Sequence, residues 1–414
     1  MNERHFFENG EKPIARLLSD HVDGLSLERD FYTSHAIYDN DIRHYWNASW
    51  IWVGHIIQLP KVGDFFLFDY GPESLIVARD QQGEIGVFLN VCRHRGSRVC
   101  LEHQGNKRVF SCPYHAWTYE LNGDLRVARE MGEDFDPKAH SLLKAHVRIF
   151  EGLIFACTAE KPPKIDAGLK DLAPLVAPFG LGNLKIAHTA SYPVPANWKL
   201  AVENYMECYH CAPSHKDYAK SHSIKDPDYL RADLTRALKE RSLAVGLPNE
   251  ELSISSDRQG ELNMDFYYRR YPLFEGYLTG SQSGDALAPL LGDLKGFDGG
   301  ATDLQIGILN NFLIYSDHFV GYRFVPRSVQ ETDIQVVWFV RHDAQEGKDY
   351  DLEALIWLWD LTSQDDERII RLNQEGINSF HYQPGPLSHM EWGIRAFYDG
   401  YLSRAALLVE GHFK

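Results

Sequence analysis

Cysteine is scarce in this sequence, with six residues among 414. So few thiols cannot knit a chain of this length into a disulfide scaffold, and a reducing compartment is expected. Long apolar runs are missing as well: no stretch approaches the roughly 20 residues that a bilayer-spanning helix requires. The opening MNERHFFENGEKP lacks the apolar core of a secretory leader, so the expectation is a soluble, cytoplasmic protein with no membrane partner. Basic charge is thin, 42 Lys and Arg against 58 Asp and Glu for a formal net charge of -16, and it gathers into no stripe. Nucleic acid, whose phosphates call for such a stripe, is not an expected partner. A dinucleotide fingerprint is absent too. GLGN at 180–183 has no third glycine and no strand-to-helix context, so a dinucleotide-binding site of that kind is not expected in this chain. The chain has no internal repeat and no low-complexity tract.

What is present is a globular composition, 44% hydrophobic, 13% aromatic and 24% charged. The length exceeds one ordinary core and favours two domains, or one large domain with an insertion. Residues 1–45 mix short helical patterns with the turn-prone HAIYDND. From Ser49 to Phe155 the texture becomes short β-like runs (WIWVGHI, FFLFDY, SLIVARD, IGVFLNV, VRIFEGLIFAC) separated by turns such as KVGD, QQGE and LNGD. A small antiparallel β-domain fits that pattern, with limits at 46–158. EKPPKID then reads as a linker, and residues 1–45 and 159–414 form the other domain. There KLAVENYMECYHC has helical spacing, residues 304–342 hold three strand-like runs, and DLEALIWLWDLTSQDDERIIRLNQEGI is a long helical pattern. Strands followed by a long helix indicate an α+β class. Residues 221–300 are rich in Gly, Asp and Ser turns and yield no clear assignment.

Within the β-domain, Cys92, His94, Cys112 and His115 occur as Cys-x-His, 17 residues, then Cys-x2-His. Two loops that each offer a thiolate and an imidazole can put both sulfurs on one iron and both nitrogens on the other. That is the Rieske form of a 2Fe-2S cluster, in which histidines replace half of the cysteines and raise the potential. Structural zinc also accepts two Cys and two His, but its loops usually pair like ligands at spacings of two or more. Here each loop mixes the types and one gap is a single residue. Cys100, Cys157, Cys208 and Cys211 remain as free thiols, most simply buried structural ones.

A cluster alone would make an electron carrier, so a reaction site has to be sought elsewhere. NWKLAVENYMECYHCAPSHKDY supplies Glu207, His210 and His215. Glu207 and His210, three apart, share a helical face, whereas His210 and His215 diverge by about 140° on a continuous helix. Pro213 disfavours helical geometry at Ala212 and lets the chain turn, so that both imidazoles can face one metal. A non-heme iron site completes such a pair with one carboxylate and leaves positions for dioxygen. LTSQDDERII offers Asp365 and Asp366, about 100° apart on a helix, so at most one of them ligates. A di-iron carboxylate site would need a second Glu-x2-His, and the chain has none.

CRHRG followed by CPYHAWTYELNG resembles the cluster loops of Rieske non-heme iron oxygenase α subunits. The likeness covers nearly the whole chain and is closest at 88–125, 197–215 and 349–388. It implies a Rieske-type antiparallel β-domain inserted in a helix-grip-like α+β catalytic domain with an antiparallel sheet and helices. It further implies Cys92 and Cys112 on the inner iron of the cluster, His94 and His115 on the outer iron, and a mononuclear Fe(II) on His210, His215 and Asp366. Asp366 is favoured over Asp365 by its place before NQEGINS. Glu207, where most ring-hydroxylating members have Asp, would hydrogen-bond histidines of both centres across a subunit boundary. Many members carry an Asn seven residues before the first iron histidine; Asn204 lies six before His210, a change of about 100° in helical phase, and its role is not carried over.

The resemblance also implies a homotrimer in which each cluster serves a neighbouring iron, since the two metals of one subunit would be too far apart. A separate flavin and iron–sulfur reductase would oxidise NADH or NADPH. NWKLAVENYMECYHC and the stretch from Asp349 to Ser388 are similar to the branch acting on quaternary ammonium compounds such as glycine betaine, stachydrine and carnitine. The implied activity is hydroxylation by O2 of an N-methyl group, or of a carbon next to nitrogen, in a small betaine-like molecule. Hydroxylation of an aromatic ring or aromatic acid is the alternative, and a non-enzymatic Rieske electron carrier the lesser one. Tyr267, Tyr268, Tyr271, Phe312, Tyr315, Tyr322 and Phe324 are candidates for the aromatic lining that a quaternary nitrogen prefers.

Overall fold

The computed structural model describes residues 13–222, 228–248, 250–254 and 265–409. Two compact units divide them: the continuous stretch Asn47–Pro162, and the residues up to Trp46 together with those from Pro163 onward. The first unit thus runs four residues past the sequence limit of 158, to the paired prolines at 162 and 163.

The Asn47–Pro162 unit contains β1 (Ile51–His55), β2 (Asp64–Tyr70), β3 (Glu73–Arg79), β4 (Ile85–Leu89), β5 (Gln104–Asn106), β6 (Phe110–Ser111), β7 (Thr118–Tyr119), β8 (Leu125–Val127), β9 (His146–Phe150) and β10 (Leu153–Cys157). Their antiparallel sheets run in the orders β1-β10-β9, β4-β3-β2-β5 and β6-β7-β8. First and last strands pair directly, and Thr158 Oγ1 donates to the Asn47 carbonyl at 3.1 Å, so the chain enters and leaves at one edge. That closure is what an inserted segment needs. The core gathers Phe65, Ile76, Phe88, Phe110, Trp117 and Tyr119 around the buried Cys92 and Cys112. Each large side chain sequestered there contributes about 2 kcal/mol.

The second unit begins with α1 (Ile14–Asp20), α2 (Asp30–Thr33) and α3 (His35–Asp41). After Pro163 it continues with α4 (Asp166–Val176), β11 (Leu184–Val194), α5 (Trp198–Tyr205), α6 (Cys211–Ser214), α7 (Tyr218–Ser221), α8 (Asp228–Val245), β12 (Leu252–Ile254), β13 (Phe266–Pro272), β14 (Gly300–Ile306), β15 (Asn311–Ile314), β16 (Phe319–Ser328), β17 (Glu331–Arg341), α9 (Leu352–Ile377) and α10 (Trp392–Val409). Its described strands make one antiparallel sheet, ordered β11-β17-β16-β15-β14-β13-β12. The class is α+β, as expected, with the long α9 laid against the sheet and held to it where Tyr192 Oη donates to Asp360. Two sequence expectations need correction. LQIGILNNFLIY is two strands, not one, because the chain reverses at Gly307–Asn310, where Asn310 N donates to Gly307 O at 3.1 Å. The unassigned region 221–300 holds α8 and β13, while its residues 223–227, 249 and 255–264 lie outside the described residues.

Helix α9 starts where the Asp351 side chain accepts from Ala354 N, and buries Leu355, Leu358, Trp359, Thr362, Ile370 and Ile377 at helical spacing. Helix α5 starts where the Asn197 side chain accepts from Lys199 N, and the backbone N–H of Asn197 donates to Gln374 Oε1 on α9 at 2.9 Å. The chain's distant ends pin α5 from the other side. Asp41, buried at the end of α3, pairs with Lys199 Nζ and accepts from Trp198 Nε1 at 3.2 Å and from Tyr401 Oη at 2.7 Å. Removing one partner of such a buried pair costs about 3–5 kcal/mol, because the other charge is left without compensation. Helix α10 then crosses the end of α5 so closely that a Cβ on Gly393 would sit 2.0 Å from the Met206 carbonyl. Only glycine permits that approach.

Candidate metal centres

The two cysteine and histidine loops of the first unit are built alike. Cys92 N donates to Ser97 O (2.8 Å) and Gly96 N to Cys92 O (3.0 Å); Cys112 N donates to Trp117 O (2.8 Å) and Ala116 N to Cys112 O (3.0 Å). Both loops turn back through a left-handed residue, Gly96 at φ 78° and Ala116 at φ 58°, and for Ala116 that conformation costs roughly 1 kcal/mol. Each sulfur points into the core and each imidazole stays exposed. The rings of His94 and His115 stand 4.7 Å apart between centroids, His94 stacks on Trp117 at 4.9 Å and His115 on Tyr114 at 4.0 Å. Burial pushes the Cys92 thiol up, partly offset by the hydrogen bond with Tyr119 Oη, while nearby Cys112 raises it further. Two sulfurs facing each other inside and two imidazoles facing each other outside, with no hydrogen-bond partner for either imidazole among the described residues, fit a cluster with one sulfur-ligated and one nitrogen-ligated iron.

In the second unit the structure brings together His210, His215 and Asp366. Their inner atoms form a triangle: His210 Nε2 to His215 Nε2 is 3.1 Å, Asp366 Oδ1 to His215 Nε2 is 3.0 Å, and Asp366 Oδ1 to His210 Nε2 is 3.4 Å. Three donors meeting at right angles on a metal about 2.1 Å away stand about 3.0 Å apart. Asp366 Oδ1 is buried and no donor among the described residues satisfies its hydrogen-bonding capacity. The set therefore fits a divalent cation at the triangle's centre. Burial works against the charge on Asp366, yet the two imidazoles hold its carboxyl below the usual range. Burial likewise works against a proton on His210, but the carboxylates of Asp366 and Glu207 outweigh it and raise that imidazole to about 9.

The outer ring nitrogens are held as well. Glu207 Oε1 lies 2.5 Å from His210 Nδ1, and Asp365 Oδ2 lies 3.4 Å from His215 Nδ1. The adjacent aspartates thus address opposite edges of one imidazole. The path of the chain differs from the expected continuous helix. Helix α5 stops at Tyr205, and Glu207 Oε2 accepts from the backbone N–H of Tyr209 and of His210 (3.2 Å for the latter), closing a turn in place of another helical step. Pro213 also acts otherwise than expected. It sits inside α6, where a missing N–H is tolerated in the first turn, and Ala212 is helical; the chain leaves helical geometry at His215, with φ -112° and ψ 77°. Because α5 breaks, helical phase says nothing about Asn204, whose Nδ2 comes to 3.4 Å from His210 Nε2. Sequence reasoning set this residue aside, and the break in the helix is why.

Cys211 Sγ is 3.9 Å from His210 Nε2 and lies within 4.8 Å of donor atoms on both histidines. It is joined to Cys208 in a disulfide, so neither residue is the free thiol that the sequence suggested, and Cys211 has no thiolate to offer a metal. Cys100 and Cys157 are free and buried.

Strand pairing sorts the aromatic candidates by face. Tyr267 pairs with Gln305, Gln305 with Asn311, and Asn311 with Tyr322, so these four share one face, together with Tyr271 and Phe324 at even steps along their strands. Tyr268, Leu304 and Phe312 form the neighbouring row on the opposite face, which removes Tyr268 and Phe312 from that lining. The Tyr267 and Tyr322 face is the one the ligand turn covers: Gln305 Nε2 reaches Met206 Sδ at 3.5 Å and the Tyr205 ring lies 5.4 Å from that of Tyr322. Tyr315 follows β15 and exchanges a hydrogen bond with His222 at 3.0 Å.

Comparison with known proteins follows the same division. Residues 49–149 match the Rieske [2Fe-2S] domain, and residues 181–272 and 309–406 match the ring hydroxylating alpha subunit catalytic domain. The glycine betaine monooxygenase oxygenase subunit of Chromohalobacter salexigens is 38% identical over 396 residues, covering 94% of this chain and 87% of that one. Its counterpart in Pseudomonas aeruginosa is 35% identical over 401 residues, covering 96% and 93%. A solved quaternary ammonium Rieske monooxygenase, described with carnitine oxidation and inter-subunit electron transfer, superposes with a TM-score of 0.69 at 22% identity over 97% of this chain and 99% of its own. At that identity the likeness is one of fold.

Proposed function

Since this chain belongs to the Rieske-type ring-hydroxylating oxygenase α subunits, we propose that it is the oxygenase component of a monooxygenase acting on a small quaternary ammonium compound of the betaine kind. The observation that carries the reading is the triangle of His210, His215 and Asp366, in a chain whose other unit presents the paired Cys92/His94 and Cys112/His115 loops. Near-full-length identity to two glycine betaine monooxygenase oxygenase subunits supports the substrate class.

The chain is an oxidoreductase subunit that incorporates molecular oxygen and takes its electrons from a separate reductase. We assign the 2Fe-2S cluster to Cys92, His94, Cys112 and His115, and the mononuclear iron to His210, His215 and Asp366. Iron at these donors supplies dioxygen activation, and the cluster supplies single electrons. With a metal ion in place of the proton that the neighbouring carboxylates favour on His210, His210 and His215 would present Nε2 lone pairs inward, because Glu207 and Asp365 engage their Nδ1 atoms. His210, His215 and Asp366 would hold the iron with three protein donors and would leave room for dioxygen. Hydroxylation of an N-methyl carbon yields an N-hydroxymethyl cation, which releases formaldehyde and a proton and leaves the tertiary amine. Glu207 is assigned the link between centres of neighbouring subunits in a homotrimer, with a flavin and iron–sulfur reductase drawing on NADH or NADPH. No helix among the described residues is long and apolar enough to cross a membrane, and a cytoplasmic site of action is part of the proposal.

The test is oxygen consumption by the iron-loaded protein with a surrogate reductase, comparing glycine betaine and carnitine with benzoate-like acids. The expected outcome is formaldehyde or another aldehyde released in step with oxygen from the ammonium panel alone. Coupled hydroxylation of only the aromatic panel overturns the substrate class and leaves the metal assignments standing. Metal analysis separates both from an electron carrier: roughly three irons per chain for an oxygenase against two for a carrier. Cys112→Ser should abolish the cluster's visible absorption.

A further inference from the structure

We infer that Asp303 is the counter-ion for the quaternary nitrogen of the substrate, an inference that rests on the function proposed above. Asp303 stands in the middle of β14, paired with Arg269 on one side and Leu313 on the other, two residues along the same face from Gln305. Its Oδ1 is buried and has no hydrogen-bond partner among the described residues. The nearest cation in the register is directed elsewhere: the Arg269 guanidinium lies over the Tyr271 ring at 5.2 Å, with Nε 3.6 Å from Glu251 Oε2. An unpaired carboxylate on an enclosed sheet face costs stability unless something compensates it.

The surroundings indicate what that something is. Burial alone, with no cation acting against it, pushes the Asp303 carboxyl up to about 7. Yet the side chain keeps partial accessibility, as do Tyr205 and Tyr218, so this part of the sheet face is within reach of a small molecule. The register sets Tyr267 and Tyr271 diagonally beside Asp303 on the same face, and its field adds to burial in raising their hydroxyls and those of Tyr205 and Tyr218. Tyr205 Oη is itself buried without a hydrogen-bond partner among the described residues. Gln305, two residues along the same face, reaches Met206 Sδ at 3.5 Å, so the unpaired carboxylate lies on the sheet face that the turn bearing Glu207 and His210 covers. An N–H cation would be drawn to such a carboxylate by donating hydrogen bonds. A quaternary nitrogen donates none and is held instead by charge and by aromatic faces, the two things this part of the sheet offers. For an uncharged ring, the same carboxylate would be a penalty to entry.

Equilibrium dialysis of the iron-loaded enzyme tests this with two probes, glycine betaine and 3,3-dimethylbutyrate, its carbon isostere of the same shape without the positive charge. Wild type should prefer the betaine. Asp303→Asn should weaken betaine binding roughly 30-fold or more while leaving the isostere nearly unchanged, with iron content and cluster absorption intact. Asp303→Glu, which keeps the charge, should retain the preference, so a poorly folding Asn variant does not close the question. An Asn variant with full iron that binds glycine betaine as wild type does overturns the role of Asp303 and leaves the proposed function untouched. Wild type that binds no quaternary ammonium compound overturns both.

Discussion

Asp365 Oδ2 stands 3.4 Å from Nδ1 of His215, on the edge of the ring turned away from Asp366. Adjacent residues on α9 thereby take separate tasks, Asp366 facing the shared point between the imidazoles and Asp365 holding one ring from behind. Asp366→Ala is expected to lose the mononuclear iron and keep the cluster's absorption. Asp365→Asn should keep the iron but bind it about 10- to 100-fold more weakly, read by metal analysis after dialysis against graded chelator. The reverse ranking would make Asp365 the ligand.

Glu207 uses both carboxylate oxygens as acceptors, Oε1 for His210 Nδ1 and Oε2 for the backbone of Tyr209 and His210. Glutamine has one acceptor oxygen and no charge. Glu207→Gln should therefore retain both metals while single-turnover electron transfer from cluster to iron slows by at least about 100-fold. Undiminished transfer would remove Glu207 from the mechanism.

Two glycines of α10 give a matched pair. A Cβ on Gly393 would meet the Met206 carbonyl at 2.0 Å, whereas one on Gly400 would find ordinary contacts at 3.7 and 3.9 Å. Gly393→Ala should displace the turn that carries Glu207 and His210, lowering mononuclear iron content and turnover without touching the cluster spectrum. Gly400→Ala should instead stabilise the helix by about 0.5–1 kcal/mol, seen as a higher denaturation midpoint with activity unchanged.

Glu203 is buried on α5 and accepts from Tyr32 Oη at 2.9 Å. Burial, opposed by that hydrogen bond and by the charge of Lys199, raises its carboxyl from 4.5 to about 8. The folded chain keeps a proton that the unfolded chain has shed, so the stability it contributes is complete below pH 4.5 and is lost as pH rises through about 8. Denaturant titrations should show a fall of about 5 kcal/mol at most across that window, and Glu203→Gln should flatten it. An unchanged slope in the variant would assign the pH dependence to other groups.

Much of the site could be read before any coordinates because its chemistry is written at short range. Cys-x-His and Cys-x2-His each fall within one loop, and Glu207, His210 and His215 within one turn. Asp366 was reached only through resemblance, since spacing left it equal to Asp365; their difference lies in which edge of His215 each meets. Asn204 escaped the sequence reading because a continuous helical phase was taken across Met206, where α5 ends and Glu207 closes the next turn. The disulfide of Cys208 and Cys211 runs against the sequence expectation for a different reason: so few cysteines in 414 residues indicated a reducing compartment and free thiols. Asp303 carries no local signal at all. Its character comes from the strands on either side and from the partner it does not have, which no window of sequence contains.

The hydrogen bond from Tyr401 to Asp41 spans 360 positions of the chain, while every strand pair of the Asn47–Pro162 unit closes within that unit. A ribosome delivers residues in order, so the cluster-binding unit can complete its sheets while more than half of the polypeptide is still unmade. The turn bearing His210 has to wait for α9 to bring Asp366 and for α10 to press Gly393 onto Met206. Cofactor insertion thus meets its two destinations at different times in the life of each molecule. A chain interrupted before α10 would leave behind a protein equipped to hold electrons and unable to spend them.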